Sequence, residues 1–119
     1  MSEINGRLRE EVGDDLRIVA RFDGDVCSFQ YLREDLSTRL DEDDLDPVHQ
    51  CVVFDVLERP YFERVFATAG GHEATIRQFE HAYIFEIPTG HHHGVLVSVD
   101  RGVDESLPAV FDLCRAAIQ

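Results

Sequence analysis

The stretch from Leu16 to Tyr31 constrains the fold more than any other part of the chain. Two runs in which apolar and polar residues alternate, LRIVARF and DVCSFQY, are separated by Asp23-Gly24. Asp-Gly between two such runs is typical of a tight β-hairpin turn. With those two residues as the loop, Ala20 pairs with Cys27, and the alternation sets one apolar face. The pattern therefore predicts an antiparallel hairpin.

Helical signals lie on both sides of the hairpin. Residues 2–13 and 107–118 carry apolar residues at the three- and four-residue spacing of an amphipathic helix. Residues 33–59 are predicted to be helical in two pieces, with Asp46-Pro47 supplying the N-cap and first residue of the second. The caps favour a helix for residues 51–57, CVVFDVL. A buried strand is the alternative there, because the run is short and β-branched.

From Tyr61 onward the period of the apolar residues changes to two. Four runs separated by short polar turns, the first of them Gly70-Gly71, predict a four-stranded antiparallel meander in which Ile76 pairs with Phe85. The predicted fold is therefore α+β. An antiparallel sheet, made of a β-hairpin plus a four-stranded meander, packs against a central helix and the N- and C-terminal helices. Residues 1–119 are expected to form a single domain.

Charge limits the kinds of partner that this chain can have. Twenty-four acidic residues face eleven basic ones, all of them arginine, and the net charge at pH 7 is -13. Such an excess would repel nucleic acid phosphates and anionic lipids at ordinary salt. The longest uninterrupted apolar run, Cys51 to Phe54, is too short to span a bilayer. We therefore expect neither a nucleic acid nor a membrane as a partner.

A strongly acidic chain without lysine resembles the cytoplasmic proteins of extremely halophilic archaea, and in overall style it resembles short uncharacterised acidic proteins of those organisms. In molar salt the Debye length falls to about 3 Å, so dense carboxylates repel each other little. An acidic protein from ordinary salt is the alternative. The start, MSEINGRLREEVGDD, shows no targeting segment, and the three cysteines form no CxxC pair. A cytoplasmic protein with reduced thiols is expected.

Three consecutive histidines lie in the loop PTGHHHG, which precedes the last predicted strand. Alternate turns of a meander lie at the same end of its sheet, so His72 in the turn after Gly70-Gly71 would lie about 10 Å from this loop. In an extended segment His91 and His93 point the same way. One hypothesis is therefore a zinc site made of His72, His91 and His93, with an open coordination position. The other is a solvated polar loop.

No residue pattern predicts catalysis, so no catalytic or cofactor-binding residue is assigned. The cysteines fall on apolar stripes, where a thiol is unreactive, and no glycine-rich phosphate loop opens a helix. Asp55 interrupts the apolar run at 51–57. It could be a desolvated acid with a raised pKa, or it could form an ion pair with Arg59 four residues later.

The second face of the predicted meander mixes apolar and charged residues. Phe62, Phe66, Phe79 and Ile84 are predicted to form an apolar patch with a charged rim, which is typical of a contact with a partner or a second subunit. Coverage of this patch by a terminal helix is the alternative.

The order helix, hairpin, helix, meander, helix resembles the roadblock/LC7 arrangement of the profilin-like folds, with one strand more than that arrangement has. The resemblance implies a small domain that pairs as a regulatory dimer. We therefore expect a non-catalytic regulatory or scaffolding module that forms a homodimer or binds another protein. A zinc-binding protein is the alternative, and a small-ligand sensor with a pocket between sheet and helix is a third hypothesis.

Overall fold

The computed structural model describes residues 3–24, 26–90 and 93–118, and within these ranges it leaves out the side chains of residues 3–5, 49, 51–53 and 56. The helices and strands follow one another as α1 (Glu3–Val12), β1 (Leu16–Asp23), β2 (Val26–Leu32), α2 (Glu34–Ser37), α3 (Asp46–Val65), β3 (Thr75–Gln78), β4 (Ala82–Gly90), β5 (His93–Asp100) and α4 (Leu107–Ile118). Short 3-10 turns lie at Gly13–Asp15, Glu42–Leu45 and Ala67–Ala69. The α+β fold class is confirmed.

The strands form one antiparallel sheet in the order β2-β1-β5-β4-β3. The hairpin of β1 and β2 joins the later strands through β1, which pairs with β5. The first and the last strand of the chain are therefore neighbours in the middle of the sheet. The short strands β2 and β3 form its two edges.

One face of the sheet, here called the first face, packs against α1 and α4 and holds the main core. Leu8 of α1, Val110 and Cys114 of α4, and Phe85 of β4 are each at most 1% exposed. Burying a side chain of this size stabilises the fold by about 1.5–3 kcal/mol. The apolar stripe predicted for the C-terminal helix is confirmed by the burial of Val110 and Cys114.

The opposite face, here called the second face, is covered by the segment that runs from α2 into α3. Its apolar cluster is smaller and contains Ala20, Phe22, Leu45 and Leu96. Ser98 and Glu86 are also buried, at 4% and 1% exposure. Among the described side chains of the second face, two polar groups are therefore buried beside the apolar cluster.

The hairpin forms where it was predicted, but its register differs. Asp23 pairs with Val26 and Ala20 with Phe29, whereas the prediction paired Ala20 with Cys27. The reason lies in Gly24, whose φ of +61° makes it the first residue of the loop, where tight hairpin turns need a positive φ. The shift is two residues, so Phe29 stays on the predicted side of the sheet.

The first strand of the predicted meander is wrong. Residues 61–65 continue helix α3, and Gly70-Gly71 lies in the connection from this helix to β3. The predicted helix stopped at residue 59, before Pro60, but Pro60 lies inside α3. A proline fits the helical φ, so its missing N–H can cost one hydrogen bond without ending the helix. The meander therefore has three strands, and Ile76 pairs with Phe85 as predicted.

Candidate functional site

Helix α3 turns charged side chains toward the protein. Asp55, Arg59 and Glu63 are four residues apart and therefore lie on one side of the helix. They are half-buried, and every other described side chain of α3 is exposed. Residues 51–57, for which a helix was favoured and a buried strand was the alternative, are helical. Among the described side chains of α3, the half-buried ones are therefore all charged.

The outward side of α3 carries a stripe of large apolar side chains, here called the outer stripe. Its members are more than half exposed and comprise Phe54 (62%), Leu57 (63%), Tyr61 (62%), Phe62 (58%) and Val65 (70%). Phe66, which follows the helix, is 57% exposed and stacks on Phe62 with 6.3 Å between ring centroids. Phe54 and Leu57, which belong to the apolar run 51–57, are therefore exposed to solvent.

The outer stripe is comparable in size to the largest apolar patch on a typical protein surface. At these exposures, the three aromatic rings of the stripe together with Phe66 present on the order of 500 Å² of apolar area to solvent. The largest apolar patch on a typical monomeric protein is about 300–600 Å² and is often functional. Leu57 and Val65 enlarge the patch further. Exposed apolar area of this extent is typical of a surface that contacts another molecule.

Below α3, an ion network joins the helix to the second face of the sheet. Arg77 of β3 donates to Asp55 of α3 at 2.8 Å and to Glu86 of β4 at 2.9 Å. Asp55 therefore pairs with an arginine 22 residues away, and not with Arg59 as one reading of the sequence suggested. Burial, followed by the hydrogen bond with Asp55, raises the pKa of Glu86 to about 7, although Arg77 acts in the opposite direction.

A cavity of about 430 Å³ opens beside this network, between α3 and β3. Its lining includes Asp55, Arg59, Phe62, His72 and Thr75. His72 is fixed on two sides, because its backbone N–H donates to the Glu63 carboxylate at 2.7 Å and its ring Nε2 lies 2.9 Å from the Thr75 hydroxyl. The connection from α3 to β3 is thereby tied to the charged side of the helix.

The two described histidines of the predicted zinc site have separate partners. His72 contacts Glu63 and Thr75, whereas His93 Nδ1 lies 2.6 Å from the carboxylate of Asp23 on β1. Within the described parts of the chain, no three His, Cys, Asp or Glu side chains are grouped so that they could hold a metal ion. His91 lies outside the described residues, so the site of His72, His91 and His93 stays a prediction.

The four residues predicted to form an interaction patch fall into two pairs. Phe62 and Phe66 stack at the end of α3. Phe79 and Ile84 line a different cavity, on the sheet, together with His81. Phe79 is 51% exposed, and Ile84 is half-buried against the second-face cluster. They were predicted to share one sheet face because residues 61–69 were predicted to be a strand, and the helix places Phe62 and Phe66 on a different element.

The described cysteine side chains are free thiols in apolar surroundings. Cys114 is buried in the main core, and burial raises its pKa to about 12. Cys27 is half-buried, and its pKa is raised by burial and by the nearby charge of Asp46. A raised pKa keeps a thiol protonated and unreactive at neutral pH, as the sequence predicted for apolar positions. The side chain of Cys51 lies outside the described part.

The outer stripe was missed because the residues after Pro60 were assigned a period of two. A signal for it was present, since apolar residues at positions 54, 57, 61, 62 and 65 follow the three- and four-residue spacing of a helix. Extending α3 through the proline would have aligned them on one side.

In the described part of the chain, no helix combines the length and the apolar character needed to cross a membrane. The family described as "Domain of unknown function (DUF7522)" matches residues 2–119. No curated protein matches the chain.

Proposed function

The chain belongs to the DUF7522 family, whose function is not known, and we propose that it is a non-catalytic regulatory or scaffolding module that acts as a homodimer. The observation that carries the proposal is the orientation of α3. Its charged stripe is held against the sheet by the Asp55–Arg77–Glu86 network, whereas its outer stripe faces solvent. Apolar area of this size gains free energy when a partner removes it from water, by roughly 25 cal/mol per Å².

A second copy of this chain fits the outer stripe because the stripe is self-complementary. Most symmetric dimers use a two-fold axis, across which a surface meets itself. Suppose that two α3 helices run antiparallel across a two-fold axis at Tyr61. A residue that precedes position 61 in one copy then lies level with the residue that follows position 61 by the same number in the second copy. Leu57 then faces Val65 of the second copy, and the exposed Glu58 faces Arg64. Apolar residues would meet apolar residues, and opposite charges would flank them.

The element order gives further support to a dimeric module. The predicted order differed from the roadblock/LC7 arrangement by one extra strand, and residues 61–65 of that strand are helical. The described elements now follow the order helix, hairpin, helix, three-stranded meander, helix. The proposed setting is a cytoplasm of high salt, where a net charge of -13 per copy opposes pairing least.

Light scattering in ~2 M KCl, where charge repulsion is screened, tests the proposal at concentrations from 1 to ~100 μM. The parent protein should approach twice the chain mass of 13.6 kDa, and Leu57→Glu should stay at the chain mass. Val26→Glu is the matched control, because Val26 is an equally exposed apolar residue (64%) on the edge strand β2. A parent protein that stays monomeric throughout, or a Leu57→Glu variant that dimerises as well as Val26→Glu, contradicts the proposal.

A further inference from the structure

A second, smaller cavity lies in the apolar layer of the second face. Its volume is about 160 Å³. Ala20, Leu45 and Leu96 are its most buried apolar lining residues, at 2–8% exposure. The remaining apolar lining residues are Ile18, Phe29, Leu40, Val48 and Ile84. None of these residues belongs to the outer stripe, so the cavity is independent of the proposed dimer surface.

One polar side chain lies at the bottom of this cavity. Ser98 is 4% exposed and sits in the row where β5 pairs with both neighbours, between Ile18 of β1 and Ile84 of β4. Within the described part of the chain, its hydroxyl makes no hydrogen bond, and its oxygen is not one of the fully buried side-chain atoms that lack a partner, so it remains accessible from the cavity. Ser98 also borders the wider cavity that Phe79 and His81 line.

The rim of the cavity selects against anions. Asp44 is the acidic residue in its lining and is exposed, and its carboxylate accepts from the backbone N–H of Asp41 at 2.8 Å. This fixed negative charge, on a chain with a net charge of -13, disfavours carboxylate or phosphate ligands. The preferred ligand is therefore neutral.

We propose that this cavity is a binding site for a small neutral ring compound that carries one hydroxyl group, of the size of phenol. An apolar cavity of about 150 Å³ is large enough to take up benzene. The ring would contact Ala20, Leu45 and Leu96, and the ligand hydroxyl would hydrogen-bond to the Ser98 hydroxyl, which can both donate and accept. The hydrogen bond gives the site its preference for a hydroxylated ring.

The test is a titration of the full chain with phenol, benzene and benzoate, followed by amide shifts in nuclear magnetic resonance spectra. Phenol should shift the amides of Ala20, Leu45 and Leu96 with the highest affinity, benzene should shift the same amides more weakly, and benzoate should not bind. Ser98→Val should weaken phenol about three- to tenfold, the worth of one hydrogen bond, and leave benzene unchanged or tighter. Ala20→Leu, which fills the cavity, should abolish binding of both.

Three results would overturn the proposal. One is the absence of amide shifts at these positions with 10 mM phenol, a concentration far above the affinities of specific small-ligand sites. Another is that phenol shifts the amides around Phe79 and His81 and not those of Ala20, Leu45 and Leu96. The third is a Ser98→Val variant that binds phenol as tightly as the parent. If Ala20→Leu does not fold, the comparison of phenol with benzene in Ser98→Val decides the question by itself.

Discussion

Gly94, next to the histidine loop, is fixed by an aromatic ring on the neighbouring strand. Phe22 pairs with Gly94, and a Cβ at that position would lie 2.7 Å from the Phe22 Cε2 atom and 3.0 Å from the carbonyl oxygen of Ile87. Gly94→Ala should therefore lower the free energy of unfolding by about 1–3 kcal/mol.

Gly102 provides the control for this prediction, because a Cβ added there has no neighbour within 4 Å. Gly102→Ala should change the free energy of unfolding by less than about 0.5 kcal/mol. Denaturant titration of both variants measures the difference. Equal stabilities would show that Phe22 moves aside without cost.

Glu86 makes the stability of the protein depend on pH near neutrality. Its pKa is about 7 in the folded chain and close to the ordinary 4.5 when unfolded. The folded state then binds more protons than the unfolded state between these values, so its stabilising contribution is complete below about pH 4.5 and is lost as the pH rises through 7. Between pH 5 and pH 8, the free energy of unfolding should fall for the parent, and it should fall by about 1–3 kcal/mol less for Glu86→Gln.

Glu10→Gln, which removes an exposed charge from α1, outside the proposed dimer contact, is the control for Glu86 and should lose stability with pH as the parent does. Unfolding in denaturant at both pH values gives the comparison. Parallel curves for the parent and Glu86→Gln would show that burial does not hold this carboxyl protonated.

At the scale of single residues, the sequence indicated which side chains were unusual but not their partners. Asp55 stood out because it interrupts an apolar run, yet its partner Arg77 lies 22 residues later, on a strand whose position follows from the sheet order. The nearer Arg59 was the natural expectation, since only local spacing can be read from sequence. The burial of Glu86 had no local signal either.

At the scale of elements, α3 carries the proposed dimer contact. The pairing proposed across Tyr61 places Glu58 opposite Arg64 of the second copy. Each single reversal, Glu58→Arg or Arg64→Glu, should therefore weaken dimerisation about three- to tenfold, because two exposed ion pairs become like-charge contacts. The double reversal should restore the parent affinity. Sedimentation equilibrium at the lowest salt that supports the dimer measures all four proteins.

Additive losses in the double reversal would contradict this register of the two helices. They would leave open a dimer that uses the same stripe in another orientation, since Leu57 contributes apolar area in either case. The reversal of Glu58 and Arg64 thus tests the helix arrangement separately from dimerisation itself.

The helices and strands whose apolar residues follow one clear spacing were predictable from the sequence. The segment whose apolar residues fit both the helical and the strand spacing was not. The apolar alternation of β4 placed Phe85 in the core, and the caps before α3 identified a helix in residues 51–57. In YFERVF, however, apolar residues satisfy the spacings of both a strand and a helix. This segment is helical because α3 continues through Pro60. No local sequence signal distinguishes a proline inside a helix from one that ends it.

At the scale of the whole molecule, the fold class could be predicted from the sequence, but the pairing of β1 with β5 could not. That pairing joins strands about 80 residues apart and depends on burying both of their faces, which no local pattern encodes. The charge, by contrast, is a property of the entire chain. With a net charge of -13, repulsion between carboxylates should destabilise the folded state at low salt.

Salt should therefore raise the melting temperature. We expect a rise of several degrees between 0.1 and ~2 M KCl, over which the Debye length falls from about 10 Å to below 3 Å. Sucrose at matched osmolality is the control, because it favours compact states without screening charge. A melting temperature independent of KCl would count against a high-salt setting.

In the proposed dimer, the outer stripe of α3 meets the same stripe of a second copy. Nuclear Overhauser effects between an isotope-labelled copy and an unlabelled one measure this contact directly. We expect intermolecular effects that join the Tyr61 and Phe62 rings of one copy to Leu57 and Val65 of the other. A dimer whose intermolecular effects arise only from β2 or the terminal helices, or a sample at ~1 mM with none, would contradict this arrangement.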